Sequence, residues 1–243
     1  MEIFGNEPLY TTLEIRKIEE AAIRSHEHTG SSLMLRAARA SFEILYKVWP
    51  ANRKIQILCG TGKNGGDGYL LAGLAVSRGW KVVVWQVGDL SRINGEAAIA
   101  RNHVLLEGIT EHAYQSGCLS PDGVIVDAMI GTGLKTQLKP QYLNAVREIN
   151  ESGLPVLAID LPTGLNADTG AVLGDAVKAD HTITFVEKKR GFFTASGPDY
   201  IGNLNVNALG LRQSDYLSEK PSSYKLDLDA LLLESGARKF RSH

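Results

Sequence analysis

Apolar residues recur at two spacings along the 243-residue chain, and the switches between them divide it into elements. Over residues 11–26 and 31–48 they fall three and four apart, at Leu13, Ile15, Ile18 and Ala22 and then at Leu33, Ala37, Ile44 and Leu45. A hydroxyl residue stands near each start, so two amphipathic helices are predicted. Beyond them short, nearly continuous apolar runs take over at 54–59, 81–87, 123–128, 155–160 and 181–185, separated by helix-like stretches at 69–78, 94–107 and 141–152. A further β-like run lies at 203–207. Strands apolar on both faces are strands buried on both faces, and their alternation with helices predicts a mainly parallel sheet covered on each side. The expected fold is α/β, a Rossmann-like three-layer αβα sandwich with a mainly parallel sheet and two N-terminal helices. After Leu211 the pattern turns polar and irregular, which sets 1–212 apart as one domain and 213–243 as an extension or linker with a short helical pattern at 227–233.

Residues 55–68 read IQILCGTGKNGGDG, an apolar run joined to five glycines in nine residues. The pattern predicts strand, glycine loop, then a helix from Tyr69. Glycines at such a junction let backbone approach a ligand, and the N–H groups of the next helix favour an anion. Gly60, Gly62 and Gly65 satisfy the dinucleotide fingerprint, but Asp89 lies beyond the spacing of about 20 positions at which an acid would hold a ribose. A P-loop fails too, because Asn64 rather than Ser or Thr follows Lys63 and Ile57 replaces the first glycine. Asn64 and Asp67 are the polar side chains within the loop, placed to meet a ligand or to serve as turn and cap residues.

Composition narrows the classes. With 44% apolar and 22% charged residues and a formal net charge of −1, the chain has no global attraction for nucleic acid or an anionic membrane, so an anionic ligand must be met locally. No run approaches the ~20 apolar residues that span a bilayer, and the first ten residues lack a secretory pattern. Two cysteines, Cys59 and Cys118, give neither metal spacing nor a disulfide framework and point to a reducing cytoplasm. His26 and His28 read as solvated or capping residues rather than metal ligands, since no cysteine or carboxylate cluster accompanies them, and Lys188, Lys189 and Arg190 as a solvated face or, less favoured, a contact for a ligand phosphate.

Ligands of open parallel sheets sit at the carboxyl ends of strands. Three such ends share a composition here: residues 60–68, 127–134 and 160–166 each couple glycine to a carboxylate, Asp67, Asp127 or Asp160. They predict one polar pocket, unless Asp127 and Asp160 merely cap the turns that follow them.

GTGKNGGDG, VDAMIGTGL and IDLPTGLNADTG resemble, in order, the three signatures of the YjeF N-terminal domain, the NAD(P)H-hydrate epimerase family, and TITFVEKKRGFFTASGPDYIG resembles its last strand and glycine-rich turn. The likeness runs from about residue 13 to 210. It implies an enzyme of nicotinamide nucleotide repair that interconverts the R and S forms of hydrated NADH or NADPH, beside an ATP- or ADP-dependent dehydratase that takes one epimer. It implies substrate contacts at Lys63, Asn64, Gly65, Gly66, Asp67, Gly131, Thr132, Gly133, Leu134, Lys135, Thr136, Gln137 and Asp160. A potassium ion (K+) would fall to Asn64, Asp127 and Thr163, and a homodimer would form through the N-terminal helices. Asp160 is the expected catalytic residue, moving a proton at the hydroxyl-bearing carbon, whose neighbouring ring nitrogen makes it a hemiaminal.

The chain departs from the family pattern in places. Lys63 replaces a second asparagine and would either contact the pyrophosphate or extra phosphate or point into solvent; Thr163 replaces a serine; Leu35 and Ala38 stand where glutamate and glycine are usual. Residues 236–243 resemble the junction before the dehydratase domain of bifunctional members, or form a basic C-terminus; native fusion stays open. A dehydrogenase of intact NAD(P) is disfavoured by the missing ribose acid. A non-catalytic nucleotide-binding or protein-interaction module is the alternative, against which the three carboxylates stand.

Overall fold

Thr11 and Thr29 open the first two helices by the same device in the computed structural model, which describes residues 7–25, 27–216 and 219–226. Each hydroxyl accepts a backbone N–H three residues on, and the side chain there, Glu14 or Ser32, accepts the threonine's own N–H. Donors that a helix start leaves without partners are thereby satisfied. Helix α1 (Thr12–Arg24) buries Ile15, Ile18 and Ala22, and α2 (Gly30–Val48) buries Leu33, Met34, Ala37, Ala38 and Leu45. The two predicted helices are present, with ends within two residues of expectation. His28, expected at the surface or as a cap, is instead buried at 6% exposure, although Ser25, Glu27 and Thr29 beside it are exposed; His26 lies outside the described residues.

After strand β1 (Glu7–Leu9) the chain builds β2 (Lys54–Cys59), β3 (Lys81–Gln86), β4 (Glu111–Ala113), β5 (Val124–Ala128), β6 (Val156–Ile159), β7 (His181–Phe185) and β8 (Asn203–Asn207). The last seven form one sheet in the order β4-β3-β2-β5-β6-β7-β8, and every pairing in it is parallel, with Ile57 opposite both Val84 and Val126. Ile55, Ile57 and Cys59 pack with α1, α2, α3 (Lys63–Ser77) and α4 (Gly95–Leu106) on one face, while Leu58 and Ile125 pack with α5 (Pro140–Glu151) on the other. Side chains alternate across a strand, so burial of both sets gives the expected three layers. Strand β4 went unpredicted because three residues carry too little pattern. A final strand, β9 (Ser223–Lys225), pairs antiparallel with β1, so residues 223–225 of the polar tail lie against the start of the chain. The helical pattern at 227–233 lies outside the described residues.

The main correction concerns the glycine segment. Helix α3 begins at Lys63 rather than Tyr69, so Asn64, Gly65, Gly66, Asp67 and Gly68 form its opening turns, and none of these glycines has positive φ. Glycine disfavours helix by about 1 kcal/mol against alanine, which is why the sequence pattern reads as loop. Packing reverses the preference. A Cβ on Gly65 would stand 2.0 Å from the Gly60 carbonyl oxygen, one on Gly66 2.7 Å from the Met34 side chain, and one on Gly68 2.6 Å from the Ala128 Cβ. The glycines let α3 lie directly on the ends of β2 and β5.

Candidate active site

From β2 the chain steps outward through β3 to β4, and from β5 outward the other way through β6 and β7 to β8, so the order reverses between β2 and β5. Such a reversal leaves a crevice at the carboxyl ends of the strands. Here it is a cleft of ≈ 830 Å³ bounded by the loops after β2, β5 and β6 and by α1 and α2. Lys63, Asn64 and Asp67 line it from the first turns of α3, the whole run from Gly131 to Gln137 lines it from the loop after β5, and Asp160 lines it from the end of β6. Gly65 and Gly66 lie behind that wall, buried in helix packing. Asp127 and Thr163 are fully buried beneath it.

Asp127 ties two loops together. Its carboxylate accepts the Thr163 N–H and hydroxyl, each at 2.7 Å, and the Met129 N–H at 3.1 Å, while the Thr163 hydroxyl oxygen accepts the Ile130 N–H at 2.9 Å. Burial raises the Asp127 pKa to about 6 and those donors hold it back. Asn64 is the opposite case. It is 8% exposed, and among the described residues neither its amide nitrogen nor its amide oxygen finds a partner. Polar atoms buried without partners cost free energy, which makes this amide a candidate contact for a bound group.

Asp160 holds φ at +64°, a left-handed conformation costing a non-glycine residue about 1–2 kcal/mol. Its Oδ1 accepts from the ammonium of Lys189 at 2.8 Å, and its Oδ2 lies 3.3 Å from the Thr132 N–H. Lys189 is 1% exposed, which corrects the expected solvated face. Lys188 and Arg190 are also engaged, Lys188 with Glu7 and Arg190 through Nε to the Asp168 carbonyl at 2.8 Å. Glu19, Glu20 and Asp67 also line the cleft. Burial pushes Asp67 well above the usual carboxylate range, with Asp160 and Glu19 adding to it and Lys63 opposing; burial and then Asp160 raise Glu19.

Glu19 and Lys189 are among the cleft residues that sequence reasoning missed, with Arg16, Glu20, Arg92 and Lys139 also in the lining. Glu19 left a signal: it lies four residues after Ile15, a carboxylate on the inner stripe of an amphipathic helix. Lys189 left none, flanked as it is by two cations.

Among the described residues no group of three or more His, Cys, Asp or Glu side chains is placed to hold a metal ion, so a multi-carboxylate divalent cage is absent. The unpartnered Asn64 amide oxygen, the Thr163 hydroxyl and one buried carboxylate are the donor set that suits a singly charged hard ion.

The family model described as YjeF-related protein N-terminus matches residues 30–191. The bifunctional NAD(P)H-hydrate repair enzyme Nnr of Coxiella burnetii is 41% identical over 206 residues, which cover 85% of this chain and 42% of that enzyme. The NAD(P)H-hydrate epimerase of Legionella pneumophila (strain Corby) is 33% identical over 220 residues, covering 88% of this chain and 82% of that one. The crystal structure of yeast ynu0 superposes with a TM-score of 0.74 over 90% of this chain and 96% of its own at 17% identity, a likeness of fold. The chain thus spans less than half the length of the bifunctional relative it matches.

Proposed function

The chain belongs to the YjeF-related N-terminal family, and from that premise we propose that it interconverts the R and S epimers of hydrated NADH or NADPH. The observation that carries this reading is Asp160, a carboxylate held in a strained conformation just past the end of β6 and lining a cleft of ≈ 830 Å³. The hydroxyl-bearing carbon of the substrate adjoins the ring nitrogen. The nitrogen lone pair expels the hydroxyl, which leaves as water once protonated, or the hydroxyl oxygen loses its proton and expels the ring nitrogen, which takes a proton as the ring opens; either route makes the carbon planar. Return of the same atoms from the other face gives the other epimer. Asp160 shuttles the proton, as general acid and then base when the hydroxyl leaves as water, a role worth typically 10²–10⁴-fold. Asp67 stands in the same wall of the cleft, and the N–H groups of Lys63 and Asn64 at the start of α3 suit the anionic pyrophosphate.

Potassium fits the site as a resident ion held by Asn64, Asp127 and Thr163, where it would fix the loops after β5 and β6 and add positive charge near an anionic substrate. At about 100-fold over its Kd it would stabilise the protein by about 2.7 kcal/mol. A higher unfolding midpoint in potassium than in tetramethylammonium, lost in Asp127→Asn, is the expected result. Two free cysteines suit a cytoplasmic setting, and among the described residues no helix is long and apolar enough to cross a membrane. Exposed Leu13 and Tyr46 on α1 and α2 suit a homodimer through those helices, and the bifunctional relatives suit a dehydratase partner that consumes one epimer.

The deciding experiment supplies a single epimer and follows the other by chromatography. Conversion by the wild type, lost in Asp160→Asn with the fold intact, is expected; no conversion with or without potassium overturns the reading in favour of a binding module.

A further inference from the structure

Lys189 is a buried lysine whose three ammonium hydrogens are all committed. They go to Asp160 Oδ1 at 2.8 Å, to the Thr184 hydroxyl at 2.6 Å and to the Phe185 carbonyl at 2.9 Å. An ammonium has three donors and no acceptor, so none is left for a ligand. We propose that Lys189 is a positioning residue of the reaction, locking Oδ1 of Asp160 so that Oδ2 alone meets the substrate. This rests on the epimerase reading and assigns the working oxygen within it.

The geometry separates the two carboxylate oxygens. Oδ1 faces inward to Lys189, with the Thr184 hydroxyl also 3.4 Å away. Oδ2 lies by the loop that lines the cleft, 3.3 Å from the Thr132 N–H, and it fills the space beside Gly131, where a Cβ would come within 2.6 Å of it. Without Lys189 only the long contacts to the Thr132 N–H and the Thr184 hydroxyl would orient the carboxylate, and it would face Glu19 and Asp67 with no buried cation to offset them.

The lysine is itself held from outside the sheet. The Tyr10 N–H donates to the Lys188 carbonyl at 2.9 Å, and the Arg190 N–H donates to the Tyr10 carbonyl at 2.9 Å, so the start of the chain clamps the backbone on both sides of Lys189. Stability does not account for such a residue. Buried ion pairs are commonly matched or bettered by apolar side chains of similar volume, since desolvation of the charges offsets their attraction. A role in chemistry does account for it.

The test measures kcat and KM on a single epimer for wild type, Lys189→Met, Asp160→Asn and the double variant, with the unfolding midpoint of each. Lys189→Met is expected to lower kcat about 100-fold, the loss typical of a group misplaced by about 1 Å, with KM within about threefold. The double variant is expected to match Asp160→Asn within about threefold, because a residue that acts through Asp160 has nothing further to lose once Asp160 is changed. A Lys189→Met kcat near the wild-type value, a rise in KM alone, or a double variant that loses the full factor again would overturn the proposal. If Lys189→Met does not fold, the comparison of Asp160→Asn with the charge-balanced double variant decides it by the same criterion. A wild type that fails to convert the epimer is a different result, and it removes the epimerase reading together with this one.

Discussion

Gly65→Ala tests whether the glycines of α3 serve close approach. The added Cβ would lie 2.0 Å from the Gly60 carbonyl oxygen, 2.8 Å from its carbonyl carbon and 3.1 Å from its nitrogen, all backbone atoms with no rotamer to escape into. An ordinary C···O contact is about 3.3 Å, so the start of α3 and the end of β2 must separate by about 1.3 Å. Asn64 and Asp67 flank the position and move with it. Overpacking costs about 1–3 kcal/mol, and alanine returns about 1 kcal/mol of helix propensity. The net loss of about 0–2 kcal/mol lowers the unfolding midpoint by about 0–8 °C in a chain of this size. Activity is expected to fall further, about 100-fold for a displacement near 1 Å. Gly62→Ala is the control, since nothing lies within 4 Å of its Cβ position and its φ of −103° suits alanine. Circular dichroism on heating and the single-epimer conversion assay read both variants. If Gly65→Ala keeps kcat/KM within about threefold of Gly62→Ala, the close-approach account is wrong.

Thr163→Val removes the hydroxyl that donates to Asp127 and accepts from the Ile130 N–H, leaving two buried groups short of a partner; a loss of about 2–4 kcal/mol in denaturant unfolding is expected, against a near-neutral Thr163→Ser. Burial also depresses the pKa of His181 below its ordinary 6.5, although Asp180 opposes the shift. The folded state then binds fewer protons than the unfolded one at acid pH, so stability is present above 6.5 and is lost as pH falls from there toward the folded value. His181→Gln is expected to flatten the unfolding midpoint between pH 7 and 5, and a curve that still falls as steeply as wild type would show that another group is responsible.

The fold was legible because burial on both faces writes itself into the sequence. Runs such as 55–59 and 124–128 are apolar at every position but one, Gln56 and Asp127, as a sheet covered on each side requires, and the intervening helices carry an apolar stripe. The three glycine-and-carboxylate loops were equally legible, because strand ends in a parallel sheet share one rim. Other features were decided by contacts distant in sequence. Asn64-Gly65-Gly66-Asp67-Gly68 is helix rather than loop because it must lie against Gly60 and Ala128, and local propensity carries no trace of that neighbour. Lys189 looks like one of three surface cations until Tyr10, far away in sequence, closes over its backbone and Asp160 takes its charge. The sequence by itself determined the layers and the succession of the elements, which follow from local periodicity, and its glycines and carboxylates marked strand ends that border the cleft. Only the tertiary structure decided that Asp160 is paired and which of its oxygens faces the cleft, because an ion pair across 29 residues depends on packing that no local pattern encodes.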